Sequence, residues 1–162
     1  MYNELTQKDI DKMNQELDYR VLVLRPQILE EVKFARSHGD LSENAEYHAA
    51  KRERGRNESR IRYLKNMIKT AKIISDESRD DEVGLYDKVT LLIAGTKEMT
   101  VGLVTTFGHD TLSGLISKES PLGKAILSKK IGQEVTVKVN SDMSYIAKIL
   151  SIDKGAVENK DL

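Results

Sequence analysis

The sequence has no cysteine and no tryptophan among its 162 residues, and aromatic side chains make up only 5% of it. Without cysteine, the chain cannot form a disulfide framework, a thiolate metal site or a cysteine nucleophile. One of its longest apolar runs, VTLLIA at 89–94, is far too short to cross a bilayer. The first eleven residues also lack the apolar segment of a signal peptide. We therefore expect a cytoplasmic protein with no membrane partner.

The net charge is zero, but the charges are strongly segregated along the chain. Residues 1–50 carry 6 Lys/Arg and 10 Asp/Glu, a net charge of −4, whereas residues 51–72 carry 9 and 2, a net charge of +7. Residues 73–162 carry 11 and 14, a net charge of −3. A basic block of this kind favours a polyanionic partner. A solvated helix face is the alternative interpretation.

Apolar residues recur every three or four positions in the first part of the chain, which predicts an amphipathic helix over residues 6–37. Thr6 is the expected N-cap, and Gly39 supplies a stop. Pro26 should kink this helix or, as the alternative, break it. The predicted stripe comprises Ile10, Met13, Leu17, Val21, Leu24, Ile28, Val32 and Ala35.

A second helical pattern covers residues 43–74 and turns polar toward its beginning. Two such helices joined by a short turn should pack antiparallel, because neither can bury its stripe alone. We expect the thin apolar stripe to leave the tip of this hairpin the more mobile part. The stripe comprises Tyr47, Ala50, Ile61, Leu64, Ile68 and Ala71.

After an acidic stretch the period changes to that of strands. The segments 88–93, 100–105, 112–117, 134–139 and 144–152 are rich in Val, Ile and Thr, and Gly, Asn, Asp and Ser separate them. Residues 121–130 read as a short helix with proline in its first turn. We therefore predict an α+β protein with a hairpin at 1–75, a linker at 76–82 and a small α+β domain at 83–162.

The turn between the two helices, HGDLSENAEY at 38–47, has two interpretations. Asp40 and Glu43 fit a capping box, with Ser42 as an alternative N-cap. Alternatively, two carboxylates three residues apart on a helical turn can converge on one hard cation such as Mg²⁺. Two ligands would hold it weakly, so the turn would serve as a half-site that a partner completes. Leu41 would pack on that partner or shield the turn, and Glu46 would pair with a nearby Lys or Arg.

Four segments together resemble the bacterial Gre transcript cleavage factors: HGDLSENAEYHAAKRE at 38–53, RP at 25–26, ESRIRYL at 58–64 and SPLGKAIL at 120–127. The resemblance implies an N-terminal antiparallel coiled coil followed by an immunophilin-like domain. It also implies that the second domain docks on RNA polymerase at the rim of its secondary channel. The coiled coil would enter the channel and help the polymerase cleave backtracked RNA.

The resemblance also implies roles for particular residues. Asp40 and Glu43 would stabilise a second Mg²⁺ shared with the polymerase active centre and help position the attacking water. The nascent RNA 3′ end would contact basic residues of the second helix, and a loop before the short helix would dock on the polymerase. The chain would be a monomeric accessory factor, not an enzyme, and would bind no cofactor alone. The basic residues are Lys51, Arg52, Arg54 and Arg56, and the docking residues are Glu119, Ser120 and Pro121.

Two segments depart from the family pattern, TTFGHDTLSG at 105–114 and VNSDMS at 139–144. They leave open a related factor that enters the channel and inhibits transcription, although the Asp40/Glu43 pair favours cleavage. A coiled-coil RNA-binding protein unrelated to polymerase is a second alternative. A prolyl isomerase is disfavoured, because only Tyr86, Phe107 and Tyr145 could supply an aromatic pocket after residue 74.

Overall fold

The computed structural model describes residues 3–40 and 43–158, which form two compact units. The first unit contains Asn3 and Gln7–Lys72, and the second contains Glu4–Thr6 and residues 73–158. Within these described ranges, no helix has an apolar stretch long enough to reach across a lipid bilayer. The predicted α+β class, with a helical hairpin followed by a small mixed domain, is confirmed.

The first helix continues without a break through Pro26. It consists of α1 (Gln7–Tyr19), a π-helical segment (Arg20–Leu24) and α2 (Arg25–Arg36). The Arg25 N–H donates to the carbonyl of Arg20, five residues earlier, as π-helical geometry requires. The wider turn accommodates a proline that cannot donate to the preceding turn and would clash with an α-helical carbonyl. The alternative of a broken helix is therefore wrong.

The second helix, α3 (Ala45–Thr70), is shorter than predicted at both ends. The sequence pattern predicted that residues 71–74 would be helical. They instead form strand β2 (Ala71–Ile74). This strand pairs with β1 (Asn3–Thr6) in a two-stranded sheet. The β-branched Ile73 and Ile74 suit a strand better than a helix end. Thr6, the predicted N-cap, is the last residue of β1, and its hydroxyl hydrogen-bonds with that of Tyr86.

The hairpin buries apolar side chains at both ends of its length and polar ones between them. Near the tip, α2 and α3 pack a cluster of five buried residues, all of which belong to the two predicted stripes. Met67, not the predicted Ile68, is buried in the last turns of α3. The tip cluster comprises Ile28, Val32, Ala35, Tyr47 and Ala50.

The second unit is built on a five-stranded sheet. The strands are β3 (Lys88–Ile93), β4 (Lys97–Val104), β5 (Leu115–Ser117), β6 (Glu134–Lys138) and β7 (Ser144–Asp153). Their order is β5-β4-β3-β7-β6, and only the β4–β5 pair is parallel. Alternation along β3 buries Val89 and Leu91, whereas the Thr90 hydroxyl lies 3.1 Å from that of Thr100 on the other face.

One helix covers part of the apolar face of this sheet. Helix α4 (Pro121–Ile126) is shorter than predicted and buries Ile126 in the main cluster. Leu91, Leu103 and Ile149 belong to the same cluster and are fully buried. Burial of these side chains supplies the main stabilisation of a unit of this size.

The acidic stretch predicted as a linker belongs by its contacts to the second unit. The Lys154 ammonium donates to the Ser78 hydroxyl (2.7 Å), to the Glu82 carbonyl (2.9 Å) and to the Asp87 carboxylate (2.6 Å). Asp87 is buried and also accepts from the backbone N–H groups of Gly84 and Gly155. One lysine thus ties this stretch to the end of the sheet.

Gly123 permits the close approach of α4 to strand β5. A β-carbon there would lie 2.1 Å from the carbonyl oxygen of Ser117. Gly123→Ala should therefore destabilise the chain by about 1–3 kcal/mol, the usual cost of overpacking, measured by thermal denaturation. Gly55→Ala is the matched control, because no atom lies within 4 Å of its β-carbon position in α3. It should stabilise by about 0.5–1 kcal/mol. Equal melting temperatures for Gly123→Ala and wild type would contradict the packing described here.

Candidate functional site

Asp40 and Glu43 lie on the turn between α2 and α3, and both are exposed. They line the same open depression, together with His38 and Glu46. The structure therefore brings the two predicted carboxylates to one surface. Their predicted placement on a helical turn is wrong, however, because α3 begins at Ala45 and both acids precede it.

Asn44, which was not among the predicted site residues, holds this turn together. Its side-chain oxygen accepts the Tyr47 N–H at 3.0 Å, which makes Asn44 the N-cap of α3. Its side-chain amide donates to the Ala35 carbonyl, at the end of α2, at 2.6 Å. One side chain thus satisfies a free N–H of one helix and a carbonyl of the other.

The capping box predicted from Asp40 and Glu43 is wrong, because the N-cap of α3 is Asn44, four residues after Asp40. Asparagine is among the strongest N-cap residues, and Asn44 stands directly before the helix. The N-cap preference of asparagine was therefore the sequence signal that could have identified Asn44. The alternative cap, Ser42, and the contact predicted for Leu41 lie outside the described residues. Glu46 forms no ion pair within residues 3–40 and 43–158, so its predicted pairing is also wrong.

Polar contacts across the hairpin fix which residues of the two helices lie opposite each other. Arg60 binds both oxygens of Glu16, at 2.8 and 3.0 Å, and Arg25 binds both oxygens of Glu58, at 2.8 and 2.9 Å. Asn57, which directly precedes Glu58 on α3, is 2% exposed. It donates to the Arg20 carbonyl at 3.3 Å and accepts from the Arg20 guanidinium at 3.1 Å. Bidentate contacts of this kind are geometrically specific.

These ion pairs persist over the ordinary pH range. Hydrogen bonding from Arg60 holds the pKa of Glu16 below its usual range, and Arg25 does the same for the pKa of Glu58. A depressed carboxyl pKa contributes stability above the unfolded value of about 4.3, and this contribution is lost as the pH falls through the folded value. The register of the hairpin is therefore held at neutral pH.

The predicted RNA-contacting residues lie along the exposed surface of α3. Lys51, Arg52 and Arg54 form no ion pair with any residue in the described part of the chain. Arg56 lies 3.5 Å from Glu53, and both side chains are at least half exposed. Arg60, in the same basic block, instead forms an ion pair with Glu16 on the first helix.

The predicted docking loop combines a structural serine with two exposed neighbours. The Ser120 hydroxyl accepts the Gly123 N–H at 3.1 Å and so caps α4. Glu119 and Pro121 are exposed, and Glu119 pairs with Lys118 at 2.8 Å. Ser120 therefore shapes the loop, whereas its neighbours are available to a partner.

The tip carboxylates fit magnesium only as a partial ligand set. Carboxylate oxygens are the donors that Mg²⁺ prefers, but an octahedral shell needs more than two of them. In the part of the chain that the structure describes, no group of three or more His, Cys, Asp or Glu side chains could hold a metal ion. The remaining ligands would have to come from water or from a partner.

Two family models match almost the whole chain. The model described as transcription elongation factor, N-terminal, matches residues 3–73. The model described as transcription elongation factor, GreA/GreB, C-term, matches residues 77–154. The chain belongs to the GreA/GreB family of transcription elongation factors. The family resemblance inferred from the tip and from SPLGKAIL is thereby confirmed.

Two relatives, each about 40% identical or more, agree with this assignment to the GreA/GreB family. Transcription elongation factor GreA of Mesoplasma florum is 44% identical over 83% of this chain and 87% of its own. The GreA of Macrococcus caseolyticus is 40% identical over 91% of this chain and 94% of its own. The solved structure of GreA factor homolog 1 from Thermus thermophilus is 22% identical over 94% and 99% of the two chains, with a TM-score of 0.44.

The role of Asn44 can be tested by two substitutions. Asn44→Ala removes both the cap and the donor to Ala35, so it should destabilise the chain by about 1–2 kcal/mol in urea denaturation. Amide exchange at Tyr47 should become faster. Asn44→Asp keeps the acceptor for the Tyr47 N–H but puts a carboxylate oxygen against the Ala35 carbonyl oxygen, so exchange at Tyr47 should stay slow while stability still falls. Unchanged stability and unchanged exchange at Tyr47 in Asn44→Ala would show that Asn44 does not hold the turn.

Proposed function

We propose that this chain binds RNA polymerase, inserts its hairpin into the secondary channel and stimulates magnesium-dependent cleavage of backtracked RNA. The observation that carries the proposal is the placement of Asp40 and Glu43 on one exposed surface of the hairpin turn. Family membership supports a role in elongation, and the tip sequence supports the cleavage step.

The chain would act as an accessory factor and not as an enzyme by itself. Its two tip carboxylates are too few to bind magnesium alone, but they can complete a site to which the polymerase contributes further ligands. When bound, magnesium supplies Lewis-acid stabilisation of the charge that develops on the scissile phosphate. Asp40 and Glu43 would share that ion with the polymerase and orient the attacking water by accepting its hydrogen bonds.

The exposed cations of α3 would contact the nascent RNA 3′ end. Phosphate groups attract lysine and arginine over several ångströms, and side chains without an intramolecular ion pair are available for this contact. Lys51, Arg52 and Arg54 meet that condition, and Arg56 has only a long, exposed pair with Glu53. The contact would guide RNA past the tip.

The second unit would dock on the polymerase through the loop before α4. Glu119 and Pro121 would make the contact, and Ser120 would keep the loop in shape through its cap on α4. A single monomer would suffice, because tip and loop belong to one chain.

The two alternatives predict different behaviour in solution. An inhibitor that occupies the channel would bind the elongation complex and slow cleavage. An RNA-binding hairpin would bind free RNA with an affinity that falls steeply with salt. The carboxylates at the tip disfavour the RNA-binding hairpin, because they repel RNA phosphates unless a cation lies between them. They favour cleavage over inhibition because they can serve as ligands of a catalytic cation.

Asp40→Asn and Glu43→Gln test the proposal in a purified, backtracked elongation complex with labelled RNA. Each amide keeps the shape of the side chain but is a poorer ligand for a cation. Cleavage should fall on the order of a hundredfold, the scale seen when one charge-stabilising group is removed. Affinity for the complex should change by less than about twofold, since exposed single charges contribute little to affinity.

Asp142→Asn is the matched control, because Asp142 is an exposed aspartate between β6 and β7. It should leave both cleavage and binding unchanged. Loss of binding in parallel with cleavage in Asp40→Asn would contradict the proposal, and so would full cleavage by both tip variants.

A further inference from the structure

The first helix exposes several large apolar side chains to solvent over residues 19–29, although Ile28 in the same range is buried. The exposed fractions are 53% for Tyr19, 71% for Leu22 and 42% for Val23, and Pro26 is exposed as well. No exposed side chain between residues 19 and 29 carries a charge. The two charged residues there, Arg20 and Arg25, are instead bonded to residues of α3. An ordinary amphipathic helix places its charges toward water, whereas this segment places its two charged residues toward α3.

The exposed apolar residues form one continuous stripe. Their spacing, 19, 22, 23 and 26, corresponds to steps of three and four, which place side chains on one helix face. The stripe lies over the π-helical segment and its two ends. Leaving large apolar side chains in water gains nothing for the isolated chain, and contiguous exposed patches of this kind mark interaction surfaces.

The charges at the ends of the stripe indicate what can cover it. Asp18 and Glu30 lie on the same face, four residues before Leu22 and four residues after Pro26. Asp18 is exposed. Glu30 has one weak surface partner, Lys33, at 3.3 Å, with both side chains 75% exposed. The stripe is therefore an apolar centre with a carboxylate at each end.

We infer that the stripe Tyr19, Leu22, Val23 and Pro26 docks on an apolar surface of RNA polymerase that has lysine or arginine at its edges. The inference rests on the proposed function, because it names a contact that the inserted hairpin would make. Complementary charges at the rim would orient the contact, and the apolar centre would supply its affinity.

Two other occupants fit the stripe less well. A second copy of the chain would pair stripe with stripe and bring carboxylates against carboxylates in either direction, which is unfavourable. Nucleic acid would need exposed cations to neutralise its phosphates, and the stripe has none. The cations proposed for RNA lie on α3, so α1 and α2 can contact protein while α3 contacts RNA.

Leu22→Lys and Val23→Lys place a charge in the centre of the stripe. Affinity for a stalled elongation complex, assembled from purified bacterial RNA polymerase and a synthetic DNA–RNA scaffold, should fall about tenfold or more. Leu112→Lys is the matched control, because Leu112 is 99% exposed in the second unit. It should change affinity by less than about twofold. Melting temperatures should stay at the wild-type value, and Leu22→Ser replaces Leu22→Lys if that variant melts early.

Each alternative outcome overturns a defined statement. If wild type binds the complex and the Leu22 and Val23 variants bind equally well, the stripe is not a docking surface. If sedimentation shows a wild-type dimer that Leu22→Lys dissociates, the occupant is a second copy. If the same variants lose binding to free RNA, the occupant is nucleic acid. If wild type does not bind the complex, the proposed function itself fails.

Discussion

The antiparallel register of the hairpin depends on two bidentate ion pairs, Glu16–Arg60 and Arg25–Glu58, and on the contact of buried Asn57 with Arg20. Apolar side chains alone would tolerate a slip of one helical turn, because apolar side chains of similar volume can replace one another in a core. A slip here would separate both pairs and leave charges partly buried without partners, which is costly. The pairs therefore act mainly on specificity, in the way that a single polar residue fixes the register of a coiled coil.

This register determines what the tip can present. Because the helices are fixed against each other, the end of α2 stays close to the start of α3, where Asn44 bonds to Ala35 and to Tyr47. Asp40 and Glu43 lie on the turn that Asn44 closes. The chain thus positions two carboxylates. The magnesium-dependent cleavage that we propose for them needs further metal ligands from another macromolecule.

Periodic features were predictable from the sequence, and features that depend on distant partners were not. Strand β3 was predicted at both ends, since alternation of apolar and polar residues is a local property. Strand β2 was read as the end of a helix, because its partner β1 lies nearly seventy residues earlier. The inward orientation of Arg25 could not be read either, because it requires Glu58 on the facing helix. At the site, both carboxylates were predicted, whereas Asn44 was missed because the acids offered a competing capping pattern.

The central claim is that the tip carboxylates act through magnesium at the polymerase active centre. Its most direct test is the rate of RNA cleavage as a function of magnesium concentration, with each protein bound at equal occupancy. We predict that the wild-type chain lowers the magnesium concentration needed for half-maximal cleavage. The Asp40→Asn/Glu43→Gln double variant should leave this magnesium concentration at the value for polymerase alone. The same magnesium dependence for wild type and the double variant would contradict the account.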